Sequence, residues 1–231
     1  MKNNLIYIYL FISLIQCVPE IYKGSNDYYI TIQSREGKYK KFPPESKWIG
    51  FEKNFTPNIW DLSAFPDLES LEITSPTFKD IENLPDFPKL EFINLSGSGI
   101  KDIRILEKYP KLSTVNLSGT HLLAYDPIGK IKRLSRLRLD SSSIENIEFI
   151  KNLNELRHLD LRNTGISSLD PLKKCKKLID LQIGNTKVSD LTPLYNLDDL
   201  TYLEFDNTKI TKIQIEELRK KLPFLKVVTR L

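Results

Sequence analysis

Cysteine is nearly absent from this sequence. Cys17 and Cys175 are the only two in 231 residues, and histidine also occurs twice. So few thiols and imidazoles give neither a disulfide framework nor the clustered ligand spacing of a metal site. Charge of one sign is lacking too. The 34 basic and 30 acidic residues leave +4, spread along the chain, which excludes the basic field expected of a nucleic-acid binder. Short runs such as Lys173-Lys174 with Lys176-Lys177 read as solvated loop charge. Long hydrophobic runs are missing as well. The longest apolar-leaning stretch is Leu5 to Ile15, well short of the about 20 residues that span a bilayer as a helix.

That stretch follows a single early charge, Lys2, in MKNNLIYIYLFISLIQC. A charged start and a short apolar core make residues 1–17 a signal peptide. No small-x-small cleavage site follows. Leu14-Ile15-Gln16-Cys17 instead resembles a bacterial lipobox, in which the cysteine takes a lipid and becomes the mature N-terminus. Gln16 departs from that pattern, which has a small residue before the cysteine. The expectation is export with Cys17 lipidated, so that any membrane contact is through that lipid alone. Cleavage near Cys17 without a lipid is the alternative.

What the chain has in abundance is a repeat. In LRHLDLRNTGISSLDPLKKCKK, apolar residues fall at Leu156, Leu159, Leu161, Ile166, Leu169 and Leu172, with Thr164 and Cys175 between and after them. The next block repeats them at Leu178, Leu181, Ile183, Val188, Leu191 and Leu194, with Thr186 and Leu197. Coils begin at Leu68, Leu90, Leu112, Leu134, Leu156, Leu178 and Leu200, a constant 22 residues apart. The spacing is a leucine-rich-repeat signature. It predicts an α/β solenoid, a horseshoe or rod with a parallel concave β-sheet and short 3₁₀ or irregular convex segments. Eight coils stacked at about 4.8 Å give roughly 35 to 40 Å. Asp126-Pro127, Asp170-Pro171 and Thr192-Pro193 open the convex segments, where proline suits a tight turn. The ninth position of the coils holds Thr120, Thr164, Thr186 and Thr208, with Ser98 and Ser142. Their hydroxyls are expected to bond the backbone of the neighbouring coil. Cys175 shares a column with Leu153 and Leu197 and reads as a small core residue.

The ends of the array change pattern. Residues 18–67 read as an N-terminal cap with a degenerate first repeat. Tyr28 to Ile32 alternates at period two, Arg35-Glu36-Gly37-Lys38 is turn chemistry, and Tyr39 to Phe42 returns as the second strand of a β-hairpin before Pro43-Pro44. Repeats fill 68–210. Residues 211–231 form a C-terminal cap, with a helix over Gln214 to Leu222 that Pro223 ends, acidic residues leading and basic ones trailing. A last strand at Leu225 to Val228 follows.

Residues between the inward leucines point out from the sheet. One row reads Trp48, Ser70, Phe92, Thr114, Arg136, His158, Asp180, Tyr202. The next reads Gly50, Glu72, Asn94, Asn116, Arg138, Asp160, Gln182, Glu204, and the third runs from Glu52 through Asp140 and Arg162 to Asp206. Opposite charges fall on adjacent strands as Arg138 beside Asp160 and Asp140 beside Arg162, and such pairs stabilise a sheet modestly. One histidine and scattered carboxylates on an open sheet have no nucleophile beside them, so no catalytic residue is assigned. No cofactor or metal site is expected. Arginine and aromatic side chains on a rigid face are good interface anchors, which selects Phe92, Arg136, Arg138, His158 and Tyr202 as protein contacts.

The segment ISSLDPLKKCKKLIDLQIGNTKVSDLTPLYNLDDLTYLEFDNTKI is similar to the internalin-like class of bacterial leucine-rich-repeat proteins. Shared features are the 22-residue period, the D/T-P-L turn and the x-x-L-x-x-L closure, over about residues 46 to 231. Threonine replaces the usual asparagine at the ninth position, and a hairpin stands where internalins carry a small helical cap. A small exported repeat protein of the spirochaete type is a nearer comparison. The resemblance implies an exported, non-enzymatic protein-binding module directed at a surface or host, and a monomer is expected. The alternative is an intracellular regulatory or scaffold protein whose N-terminus stays attached.

Overall fold

The computed structural model describes residues 21–24 and 27–229, so the expected signal peptide and Cys17 lie outside it. Three antiparallel strands come first: β1 (Ile21–Gly24), β2 (Asp27–Gln33) and β3 (Tyr39–Phe42), in the order β1-β2-β3. The sequence predicts only the β2–β3 hairpin. Ile21-Tyr22-Lys23-Gly24 is too short to display a period of two, and only pairing with β2 makes it a strand. Gly37 closes the hairpin at φ 77°, a conformation that costs glycine little.

Nine parallel strands follow in one sheet, ordered as in the chain. They are β4 (Trp48–Phe51), β5 (Ser70–Ile73), β6 (Phe92–Asn94), β7 (Thr114–Asn116), β8 (Arg136–Arg138), β9 (His158–Asp160), β10 (Asp180–Gln182), β11 (Tyr202–Glu204) and β12 (Lys226–Val228). From β4 to β11 the register advances by the sequence period, pairing Trp48 with Ser70, Ser70 with Phe92 and so on to Tyr202. Helix α1 (Lys212–Lys221) lies between β11 and β12. Most coils return through short 3₁₀ segments, including Asp126–Lys130, Asp170–Lys174 and Thr192–Leu194, each with proline in its first turn.

The core is a set of columns. The leading leucines from Leu68 to Leu200 are at most 1% exposed, and the inward strand residues from Ile49 to Leu203 are as deeply buried. Fully burying one such side chain contributes about 1.5–3 kcal/mol, and no coil could bury its own without a neighbour. Cys175 lies in this core, with its Sγ 3.6 Å from the Ile150 carbonyl oxygen. Burial pushes its thiol up to about 11.

The turn that leaves each strand differs from the expectation in one respect. Thr120, Thr164, Thr186 and Thr208 donate their hydroxyls to the carbonyls of Leu117, Leu161, Ile183 and Phe205, at 2.6 to 3.0 Å. The acceptor is in the same coil, three residues back, not in the neighbour. Neighbouring coils are joined instead by the backbone one residue earlier, as when Gly119 N donates to Asp140 O at 2.8 Å and Asn163 N to Gly184 O at 2.9 Å. The serines at Ser98 and Ser142 are buried, and their Oγ atoms have no hydrogen-bond partner among the described residues.

Both ends of the array are joined to further elements. Ile30 and Ile32 of β2 are buried, and Phe42 meets Phe51 and Phe65 edge-on, at ring centroid distances of 5.7 and 6.2 Å. Asn58 N donates to Gln33 O at 2.9 Å and Gln33 N to Asp61 Oδ2 at 3.2 Å. Burial raises the Asp61 carboxyl, and the Gln33 hydrogen bond partly opposes that shift. At the other end α1 begins at Lys212, two residues before the expected start. Thr211 and Gln214 form a reciprocal capping box there. Glu216 and Glu217 therefore sit in mid-helix, and only the trailing Arg219, Lys220 and Lys221 complement the helix dipole.

Candidate binding face

The outward face of the nine-strand sheet carries the side chains singled out in the sequence. Arg136, Arg138 and His158, from β8 and β9, line one shallow depression of about 230 Å³ with Leu137, Leu159, Asp160, Arg162, Asp180 and Gln182. Phe92 on β6 lies two strands before its β8 edge, and Tyr202 on β11 adjoins its β10 edge. The sheet thus brings three of the five predicted contacts together and places the other two as flanks.

Of the two cross-strand pairs expected, Arg138 does lie beside Asp160, with Nε 3.7 Å from Oδ2, but Asp140 and Arg162 do not pair. Arg162 turns back along its own chain, donating from Nε and a terminal nitrogen to the two oxygens of Asp160 at 2.9 and 2.7 Å. Asp160 is only 5% exposed, and this bidentate bond compensates the cost of burying its charge. The same bond raises the Arg162 guanidinium further above its ordinary range. Its Nε also lies 3.6 Å from Glu204 Oε2. Asp140, the expected partner of Arg162, instead accepts from the Ser118 hydroxyl and lies 3.5 Å from Arg138. A two-residue step along the chain lets both guanidinium donors reach the carboxylate, and only side-chain geometry reveals that choice.

Two predicted contacts keep their polar groups open. Arg136 is exposed, and no carboxylate among the described residues pairs with it; the Tyr202 hydroxyl likewise has no partner among them. Arg138 is half-exposed, with Asp140 and Asp160 at 3.5 and 3.7 Å. His158 Nδ1 is 3.7 Å from Asp180. The residues lining the depression include no serine, threonine or cysteine, and the described residues hold no cluster of metal-ligating side chains. His121 is exposed at a turn, where its carbonyl accepts from Lys101.

Sequence reasoning overlooked the eighth position of the coils. Gly97, Gly119, Ser141, Asn163, Asn185 and Asn207 all take φ between 52° and 67°. The signal was present, because glycine and asparagine are the residues that tolerate that region. The three asparagines also bond one another, Asn207 Nδ2 to Asn185 Oδ1 and Asn185 Nδ2 to Asn163 Oδ1, both at 2.8 Å.

Comparison with known proteins gives the same architecture. Residues 154–196 match the family model for leucine-rich repeats in two copies. Among solved structures, internalin C2 from Listeria monocytogenes superposes with a TM-score of 0.72, at 23% identity over 80% of each chain. A second Listeria monocytogenes internalin, inlF, gives 0.56 at 20% identity, over 74% of this chain and 63% of that one. A leucine-rich-repeat protein of Leptospira interrogans gives 0.59 at 20% identity, over 73% of this chain and 50% of that one. No curated protein is significantly similar in sequence. The chain is a leucine-rich-repeat solenoid of internalin-like architecture, a fold that in general serves protein–protein interaction.

Proposed function

We propose that this chain is an exported, non-enzymatic protein-binding module that engages its partner with the concave, outward face of the repeat sheet. The observation that carries the reading is the pairing state of that face. Arg136 and Tyr202 have no partner among the described residues, while the buried carboxylate of the same face, Asp160, is already satisfied by Arg162. A sheet fixed by backbone hydrogen bonds loses little entropy on binding. Arginine and tyrosine are the side chains that most often dominate interface energies. The contacts assigned are Phe92, Arg136, Arg138, His158 and Tyr202.

The test compares the native sequence with an Arg138→Ala/Tyr202→Ala double variant, each immobilised and presented with proteins of the surface that the source cell meets. A true partner binds the variant at least about tenfold more weakly, a loss of about 1.4 kcal/mol. Melting should change by no more than about 2–4 °C, since neither side chain holds the core. Undiminished capture by the double variant rejects the outward face as the site.

Export and a lipid on Cys17 form part of the same proposal. The intact mass of the protein purified from its native cell decides both. A chain beginning at Cys17 with added acyl mass supports an anchored module, and cleavage without acyl mass supports a released one. A chain beginning at Met1 removes export and favours the intracellular scaffold reading.

A further inference from the structure

The first four strands of the repeat sheet carry a different chemistry from the charged centre. Trp48 opens the row on β4 and is 54% exposed. Its indole Nε1 donates to Glu72 Oε1 at 3.0 Å. Its six-membered ring lies over Gly50, where an added Cβ would stand 2.5 Å from Cζ2 and 2.8 Å from Cη2. Glu72 is held in turn by Asn94 Nδ2 at 3.1 Å from its second oxygen. The indole is therefore seated on glycine, tethered at its nitrogen, and open to solvent on its far side. Phe92 follows in the same row two strands on, about 9.6 Å away by strand spacing.

What surrounds these rings is hydroxyl and amide. Ser70 and Thr114 alternate with the aromatics in the row, and Ser96 and Asn116 stand beside it. The hydroxyls of Ser70, Thr114 and Ser96 and the Asn116 Nδ2 have no partner among the described residues. No lysine or arginine projects from the outward face of β4 to β7. Of the carboxylates there, Glu72 is occupied as above, and Glu52, just past β4 and exposed, has Lys40 at 3.4 Å.

We propose that this end of the sheet is a binding site for a neutral, extended β-linked oligosaccharide. The inference goes beyond the protein-binding reading and names a separate site. A pyranose ring presents C–H bonds on its face and hydroxyls around its rim. The face suits an exposed, immobilised indole, whose π surface is electron-rich. The rim suits groups that can both donate and accept. An apolar peptide side chain on Trp48 would bury the neighbouring hydroxyls unpaired, at the full desolvation penalty of each. A sugar chain pairs them instead. The strands themselves present no cation and the neighbouring Lys40 is paired with Glu52, which argues against sulfated or carboxylated glycans. Two aromatic rings in one register row across successive strands suit an extended chain rather than a coiled one.

The sequence has two tryptophans, so a Trp60→Phe background makes Trp48 the sole indole reporter. The full chain in that background is titrated with cellohexaose, chitohexaose and xylohexaose, followed by Trp48 fluorescence and by calorimetry. At least one sugar should give a saturable spectral shift. Trp48→Ala should weaken that binding about tenfold or more by calorimetry. Gly50→Ala, which keeps the indole but removes its seat, should weaken it while circular dichroism stays native. The Arg138→Ala/Tyr202→Ala variant should bind the sugar normally, which separates this site from the protein-binding face. No saturable response to any of the three sugars overturns the proposal, and so does equal affinity in Trp48→Ala or Gly50→Ala.

Discussion

Six residues at the eighth position of successive coils share a left-handed backbone, and one of them is ill suited to it. Ser141 takes φ 59° between Gly119 and Asn163. A residue with a Cβ, other than asparagine or aspartate, is strained there. The Asn163 Nδ2 that faces its coil has no partner among the described residues. Ser141→Asn should therefore stabilise the protein by about 0.5–1 kcal/mol, through an easier turn and one more step of the asparagine series. Urea unfolding measures this, and a loss of stability would show that the serine has a role the turn geometry does not account for. The arginines of the sheet provide a second contrast. Arg162→Ala leaves Asp160 buried without its fork and should cost about 1–3 kcal/mol. Arg136→Ala removes no hydrogen bond or ion pair and should stay within about 0.5 kcal/mol. Equal effects would mean that Asp160 is satisfied by other groups once Arg162 is gone.

The elements of this fold are too short to stand alone. Strands of three residues and 3₁₀ segments of three to six are fixed by stacking, since isolated helices and hairpins of such length are marginal in water. Helix α1 is the exception in length, and its start is set by Thr211, whose hydroxyl accepts from Gln214 N while Gln214 Oε1 accepts from Thr211 N at 2.8 Å. Thr211→Ala should cost about 1 kcal/mol. Hydrogen exchange should then rise first in residues 212–222 and leave β5 to β9 unchanged. Uniform destabilisation would indicate that the helix and the array unfold as one unit. The capping box was readable in the sequence as Thr-x-x-Gln. The acidic pair Glu216-Glu217 drew the expected start two residues too far along.

For the molecule as a whole, stability is a sum over coils and the interfaces between them. Translational register follows directly. Removing residues 112–133, one whole period, brings the coil at Leu90 against the coil at Leu134 with every column intact. That shortened chain should still unfold cooperatively, with a smaller denaturant slope in proportion to the surface lost. Removing residues 112–122, half a period, puts strand positions against return segments and should abolish cooperative unfolding. Circular dichroism and urea melts of the two deletions decide this. If both lose cooperativity, the coil at Leu112 makes contacts that its neighbours cannot replace.

The linear pattern determined the coil. Leucines at fixed spacing, prolines opening the returns and the 22-residue step leave few alternatives, because buried apolar columns and the strand register depend only on residue type and spacing. The alignment of Trp48, Phe92, Arg136, His158 and Tyr202 in one row was legible for the same reason. Tertiary structure decided what spacing cannot encode. It set the rotamer that turns Arg162 onto Asp160 instead of Asp140, the short β1 that exists only by pairing with β2, and the glycine seat that brings Trp48 against Glu72. Each of these depends on directions of side chains and on partners distant in the chain, and a one-dimensional period carries neither.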